Sequence, residues 1–134
     1  MKEMQEMMQF IDNSLTSYHA VCEVEKELKC HGFAKLNEKK LWKLEAGKSY
    51  YLTRNDSSLM AFRVPTCEIS KIKGFHIFAA HTDSPAFKVK EYPEMEREGN
   101  YVVWNTEKYG GMILSTWMDR PLTNSGQSMF GKRK

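Results

Sequence analysis

Gly74-Phe75-His76-Ile77-Phe78-Ala79-Ala80-His81-Thr82-Asp83-Ser84-Pro85 is the stretch on which the fold reading turns. A mostly apolar run leads into His81, a carboxylate follows two positions later, and Pro85 closes the segment. A short apolar run bounded by glycine and proline fits a buried strand. Open α/β sheets place ligand sites outside the carboxyl ends of their strands. The expectation is a buried strand that delivers His81 and Asp83 to its end. Side chains at i and i+2 share one face of a strand, so these two can project together. His76 stands at an odd separation from His81, falls on the opposite face, and reads as structural.

The chemistry of the pair follows from what a metal asks of an imidazole. One ring nitrogen binds the ion, and the other must be held by an acceptor, often a carboxylate, which sets the tautomer and raises ligand basicity. His81 with Asp83 meets that demand. The spacing alone is weak evidence, since a solvent-facing turn pair has the same spacing.

Upstream, Met4, Met7, Met8 and Ile11 recur at helical spacing with Phe10 beside them, which predicts a short amphipathic helix over residues 4–12. Asn13-Ser14-Leu15-Thr16-Ser17 breaks it, and Ser14, Thr16 and Ser17 are candidate caps for a second helix over residues 18–31. That helix carries Tyr18, Val21, Val24 and Leu28 on one stripe, and Gly32 after Lys29 and His31 fits its C-terminus. Phe33 and Leu36 are expected to pack back on it. His19 and His31 read as exposed or capping residues, because no Cys, Asp or His stands near either at ligand spacing. Trp42 and Leu44 alternate with lysines as in a half-exposed strand or extended segment.

Ser49–Arg54 and Leu59–Val64, joined by Asn55-Asp56-Ser57-Ser58, predict a β-hairpin, with Asp56 a turn residue. Downstream, Phe87–Lys90 reads as extended and Glu91–Asn100 as a charged loop. Tyr101–Thr106 reads as a strand, Tyr109-Gly110-Gly111 as a glycine turn or bulge, and Met112–Met118 as a further strand.

Bulk properties exclude several classes. The chain has 134 residues, 41% hydrophobic and 28% charged, with a net charge of +3. That suits a folded domain, or part of a larger one. Its basic residues are scattered and form no stripe with interleaved aromatics, so no nucleic-acid partner is expected. No apolar run approaches the ~18 residues of a membrane span, and the N-terminus lacks the basic and apolar regions of a signal peptide. A cytoplasmic protein without a membrane partner is expected. Cys22, Cys30 and Cys67 are odd in number and widely spaced, and are expected as free, buried or half-buried thiols.

His81-Thr82-Asp83-Ser84-Pro85 followed by Phe87-Lys88-Val89-Lys90 resembles the metal-site motif of the aspartyl aminopeptidase family, which are dinuclear zinc exopeptidases. Other motifs are similar in order and spacing. They include Ser14–Val21, Gly32-Phe33 with Leu36, Trp42, Gly47–Tyr51, Thr53–Ser58, Ala61-Phe62, Tyr109–Gly111 and Trp117–Leu122. The resemblance runs over residues 8–126. It implies that His81 is a zinc ligand and that Asp83 is the catalytic-site carboxylate that orients His81. It implies Zn²⁺ as cofactor, two ions per complete site. The implied substrate is a peptide with an acidic N-terminal residue, and the implied assembly a homo-oligomer. Asp119-Arg120 belongs to a motif of the family's assembly subdomain, and a structural role is expected for both.

For the fold, the resemblance implies an α/β class: the N-terminal part of an α/β/α sandwich with a mixed sheet, followed by the start of a β-rich assembly subdomain. The implied division is residues 1–90 for the catalytic part and 91–134 for the beginning of the dimerisation subdomain, with the boundary in the Glu91–Asn100 loop. The family's chain is about three times as long, enough for two domains. A co-catalytic site needs two metals about 3.5–4 Å apart, a bridging carboxylate and a general base. The sequence holds no Glu-Glu pair to supply the family's base and ligand, and Ser128–Lys134 departs from the family pattern and does not resemble a strand. The expectation is a truncated or frame-shifted product, or a fragment, inactive alone. The alternative is a non-catalytic remnant that acts through self-association or association with a complete subunit.

Overall fold

The computed structural model describes residues 1–126, and the expectation for Ser128–Lys134 lies outside them. The sequence of elements starts with two helices. α1 (Lys2–Asn13) holds its apolar stripe toward solvent, with no buried residue. α2 (Ser17–Cys30) begins where the polar break predicted a cap. Its first turn has orphan N–H groups, and the His19 amide donates to the Thr16 hydroxyl at 3.4 Å. At the other end His31 is the cap residue and Gly32 takes a φ of 76°, which a glycine reaches without steric cost. The Phe33 amide then closes onto the Leu28 carbonyl at 2.9 Å, and the chain reverses into β1 (Ala34–Lys35).

The sheet of this part is three-stranded and mixed. β2 (Ser49–Arg54) is its centre, parallel to β1 and antiparallel to β3 (Ser58–Arg63). The hairpin register pairs Tyr50 with Phe62 and Leu52 with Met60. Asn55 and Asp56 take φ values of 51° and 52°, the left-handed region that Asn and Asp tolerate best after glycine, so the turn chemistry is the expected one. Tyr50, Tyr51 and Leu52 are consecutive and all buried, so β2 is covered on both faces. Tyr51 is fully buried, and its hydroxyl faces the Glu25 carboxylate without reaching hydrogen-bond geometry. Ala20 and Val21 of α2 supply the rest of the buried apolar set.

A separate two-stranded sheet follows, of β4 (Ala86–Arg97) and β5 (Tyr101–Tyr109), antiparallel with an irregularity between Val89 and Glu94. Phe87 meets the edge of Trp117 at 5.4 Å in the same part. Gly110 takes a φ of 78°, and a side chain there would stand 3.3 Å from the Pro85 backbone. The chain divides into two compact units, Met1–Asp83 (joined by residues 125–126) and Ser84–Asn124.

Four local expectations are corrected. Gly74–Pro85 forms no strand: among the described residues no strand pairs with it, and Phe75, Ile77 and Phe78 are 83%, 83% and 95% exposed. A central strand needs ladder partners and covering layers, and neither reaches this segment here. The Glu91–Asn100 loop is β4 up to Arg97, with the turn confined to residues 98–100. Met112–Met118 is not a strand but contains a 3-10 turn over Leu114–Trp117, held in part by the Thr116 hydroxyl on the Ile113 carbonyl at 2.8 Å. The cysteines are free but exposed rather than buried.

Among the described residues the buried apolar set is Ala20, Val21, Tyr50, Tyr51 and Leu52, while Phe75, Ile77, Phe78, Val102 and Trp104 are exposed. The apolar faces that the sequence prepares for burial are therefore largely uncovered.

Candidate metal centre

His81, Thr82 and Asp83 lie at the end of the apolar run, on the first compact unit. The ring nitrogen Nδ1 of His81 is 2.8 Å from the backbone carbonyl oxygen of Asp83 and 3.2 Å from its carboxylate Oδ1. A carbonyl oxygen only accepts, so Nδ1 carries the proton and donates it. In the neutral ring the lone pair is then on Nε2. His81 has 83% of its side chain exposed, and Asp83 47%. The arrangement fits a metal-ligating histidine: one nitrogen fixed by acceptors, the other presented outward.

Thr82 is tied elsewhere. Its hydroxyl donates to the Ser57 carbonyl at 3.0 Å, in the turn between β2 and β3. Sequence reading quoted Thr82 within the motif but gave it no role.

The other histidines do not join the site. His19 is half-buried with Nδ1 2.8 Å from the Thr16 hydroxyl, and His31 has Nδ1 2.8 Å from the Glu27 carbonyl, a capping contact. His76 is exposed. Among the described residues no group of three or more His, Cys, Asp or Glu is placed to hold a metal ion. His81 and Asp83 are brought together, and the remaining donors of a two-metal site are not supplied by those residues.

A tautomer-fixed imidazole beside a carboxylate is one element that a metal site uses. Residues 10–134 match the family described as aminopeptidase I zinc metalloprotease (M18), and the chain belongs to that family. It is similar to a probable M18 family aminopeptidase 2 of Clostridium novyi (strain NT), 48% identical over 122 residues, covering 91% of this chain and 28% of that protein. A probable aspartyl aminopeptidase of Ricinus communis is 36% identical over 129 residues, covering 96% of this chain and 26% of that one. Among solved structures, a chain of the cryo-EM structure of the Ape4 and Nbr1 complex superposes with a TM-score of 0.78 at 41% identity, covering 87% of this chain and 22% of that chain. A chain of the S. cerevesiae mApe1 dodecamer gives 0.76 at 29% identity, covering 87% and 27%. The chain thus spans little more than a quarter of the length of the relatives it matches. The mixed sheet with helices agrees with an N-terminal portion of that fold. No helix among the described residues is long and apolar enough to cross a membrane.

Proposed function

We propose that this chain provides part of the active centre of a cytoplasmic, zinc-dependent aminopeptidase that removes acidic N-terminal residues from peptides. His81 would ligate zinc through Nε2, and Asp83 would orient the ring. The observation that carries this reading is the pair of acceptors on His81 Nδ1, at 2.8 and 3.2 Å. Zinc, two ions in the complete site, would polarise the scissile carbonyl and activate water. The chain's own residues would fix the proton on Nδ1 and hold the Nε2 lone pair toward the ion. The general base and the remaining ligands would come from residues other than those described. In the same reading residues 1–90 serve the catalytic domain, and residues 91–134 begin a subdomain through which copies assemble into a homo-oligomer.

One histidine and one aspartate do not hold a dinuclear centre, so the purified chain is expected to lack aminopeptidase activity and to carry near-zero zinc by elemental analysis. About one zinc per chain would mean that ligands arrive from another copy. Robust hydrolysis of an aspartyl or glutamyl anilide, lost in His81→Ala, would show the inactive reading wrong.

A non-catalytic reading is favoured by one observation: among the described residues β4 and β5 pair only with each other, leaving two open edges. Unpaired edges recruit further strands. Under this reading the chain acts through self-association or association with a complete subunit. Light scattering separates the cases, since a monodisperse monomer that unfolds cooperatively would count against it.

A further inference from the structure

We infer that Thr82 is a positioning residue, whose hydroxyl bond to the Ser57 carbonyl sets the direction in which His81 and Asp83 face. The inference rests on the reading of His81 as a ligand. The bond is 3.0 Å long and joins positions twenty-five residues apart. It fastens the middle of the His-x-Asp triplet to a turn whose own shape is fixed by two left-handed residues, Asn55 and Asp56. The Ser57 carbonyl is therefore held in place by the hairpin. Thr82 and Ser57 are half-buried, whereas His81 is exposed.

The tie sits between the two residues of the pair. With Thr82 drawn to the hairpin, His81 and Asp83 flank the tie in sequence, and their side chains meet at 3.2 Å. There the Asp83 carbonyl receives the His81 Nδ1 proton. That bond requires the backbone at 81–83 to keep one conformation. His81 is too exposed for packing to impose it, and the Thr82 hydroxyl supplies the constraint. The β2–β3 turn becomes part of the site's support through its backbone, by the Ser57 carbonyl.

The test uses the full 134-residue chain. Long-range ¹⁵N NMR of the histidines reports which ring nitrogen carries the proton. Thr82→Val keeps the shape and removes the donor, and Thr82→Ser keeps the donor. The expected result is that wild type and Thr82→Ser hold the His81 proton on Nδ1. Thr82→Val shifts to a mixture of tautomers. Tyr51 ring resonances, unchanged throughout, report an intact hairpin. If Thr82→Val loses them, Thr82→Ala is read in its place. A wild-type tautomer population in the variant lacking the hydroxyl overturns the inference, as does an equal loss in Thr82→Ser. The zinc and anilide measurements test the ligand reading separately, and the tautomer comparison decides the role of Thr82 whichever way they fall.

Discussion

Lys35 and Glu25 form an ion pair at 2.6 Å that joins β1 to α2, and the same ammonium stands 5.9 Å from the centroid of the buried Tyr51 ring. Burial pushes the Glu25 carboxyl up, but the Lys35 hydrogen bond, the nearby Tyr51 hydroxyl and the Lys35 charge outweigh it, so the group titrates below its usual 4.5.

A carboxylate depressed in the folded state stabilises the fold above its unfolded value, and that contribution is lost as pH falls through the folded value. The urea midpoint is expected to drop on acidification below the usual 4.5, and Glu25→Gln should flatten this segment of the profile. Glu25 is 17% exposed and Lys35 47%, so solvent screening limits the pair to about 0.5–1 kcal/mol. Tyr51 adds the opposite limb. Burial first, and then the Glu25 carboxylate, hold its phenol above the usual 10.0, so stability falls as pH rises past that value. Identical midpoint profiles for the two proteins would remove Glu25 from the account.

Tyr51 is also the largest fully buried side chain. Tyr51→Ala is expected to cost about 3–5 kcal/mol, by analogy with other buried aromatic truncations, and to abolish a cooperative transition in circular dichroism. Phe75→Ala removes a ring that is 83% exposed and should change stability by no more than about 0.5 kcal/mol. Comparable losses at both positions would mean that Phe75 is covered in solution.

The three cysteines are free and exposed. A thiol reagent is expected to titrate all three in the native chain without denaturant. A thiol that reacts only after unfolding would mark a surface that closes in solution.

Asp83 offers His81 two acceptors, a carbonyl and a carboxylate oxygen. Asp83→Asn keeps the carbonyl and removes the charge. The Nδ1 proton should stay where it is, as read by long-range ¹⁵N NMR of the ring. A displaced proton in this variant would show that the carboxylate, and not the backbone, sets the tautomer.

What could be read from residues alone was local structure. Asn55-Asp56 announced the hairpin because their side chains tolerate left-handed backbone, and Thr16 and Gly32 announced the ends of α2 for the reasons capping residues do. The misreadings have physical causes. Charge and Pro93 disguised β4, but Pro93 falls in the irregular stretch between Val89 and Glu94, where the ladder skips and no N–H is demanded of it. Gly74–Ala80 and Met112–Met118 are patterned for burial, and a pattern records the environment a segment is suited to, not whether partners are present. For the site, the His81–Asp83 pairing was legible from spacing. The carbonyl on Nδ1 and the Thr82 bond to Ser57 were not, because both depend on backbone positions that composition does not encode.

The uncovered run from Phe75 to Phe78 has a meaning for the life of the chain in a cell. Exposed apolar stretches are where chaperones and proteases engage proteins, and a small change in the populated open state alters abundance several-fold. The half-life of this chain should therefore track the occupancy of that run. Whatever covers it would protect the chain from degradation, and a pulse-chase measurement would report the covering without any knowledge of what does it.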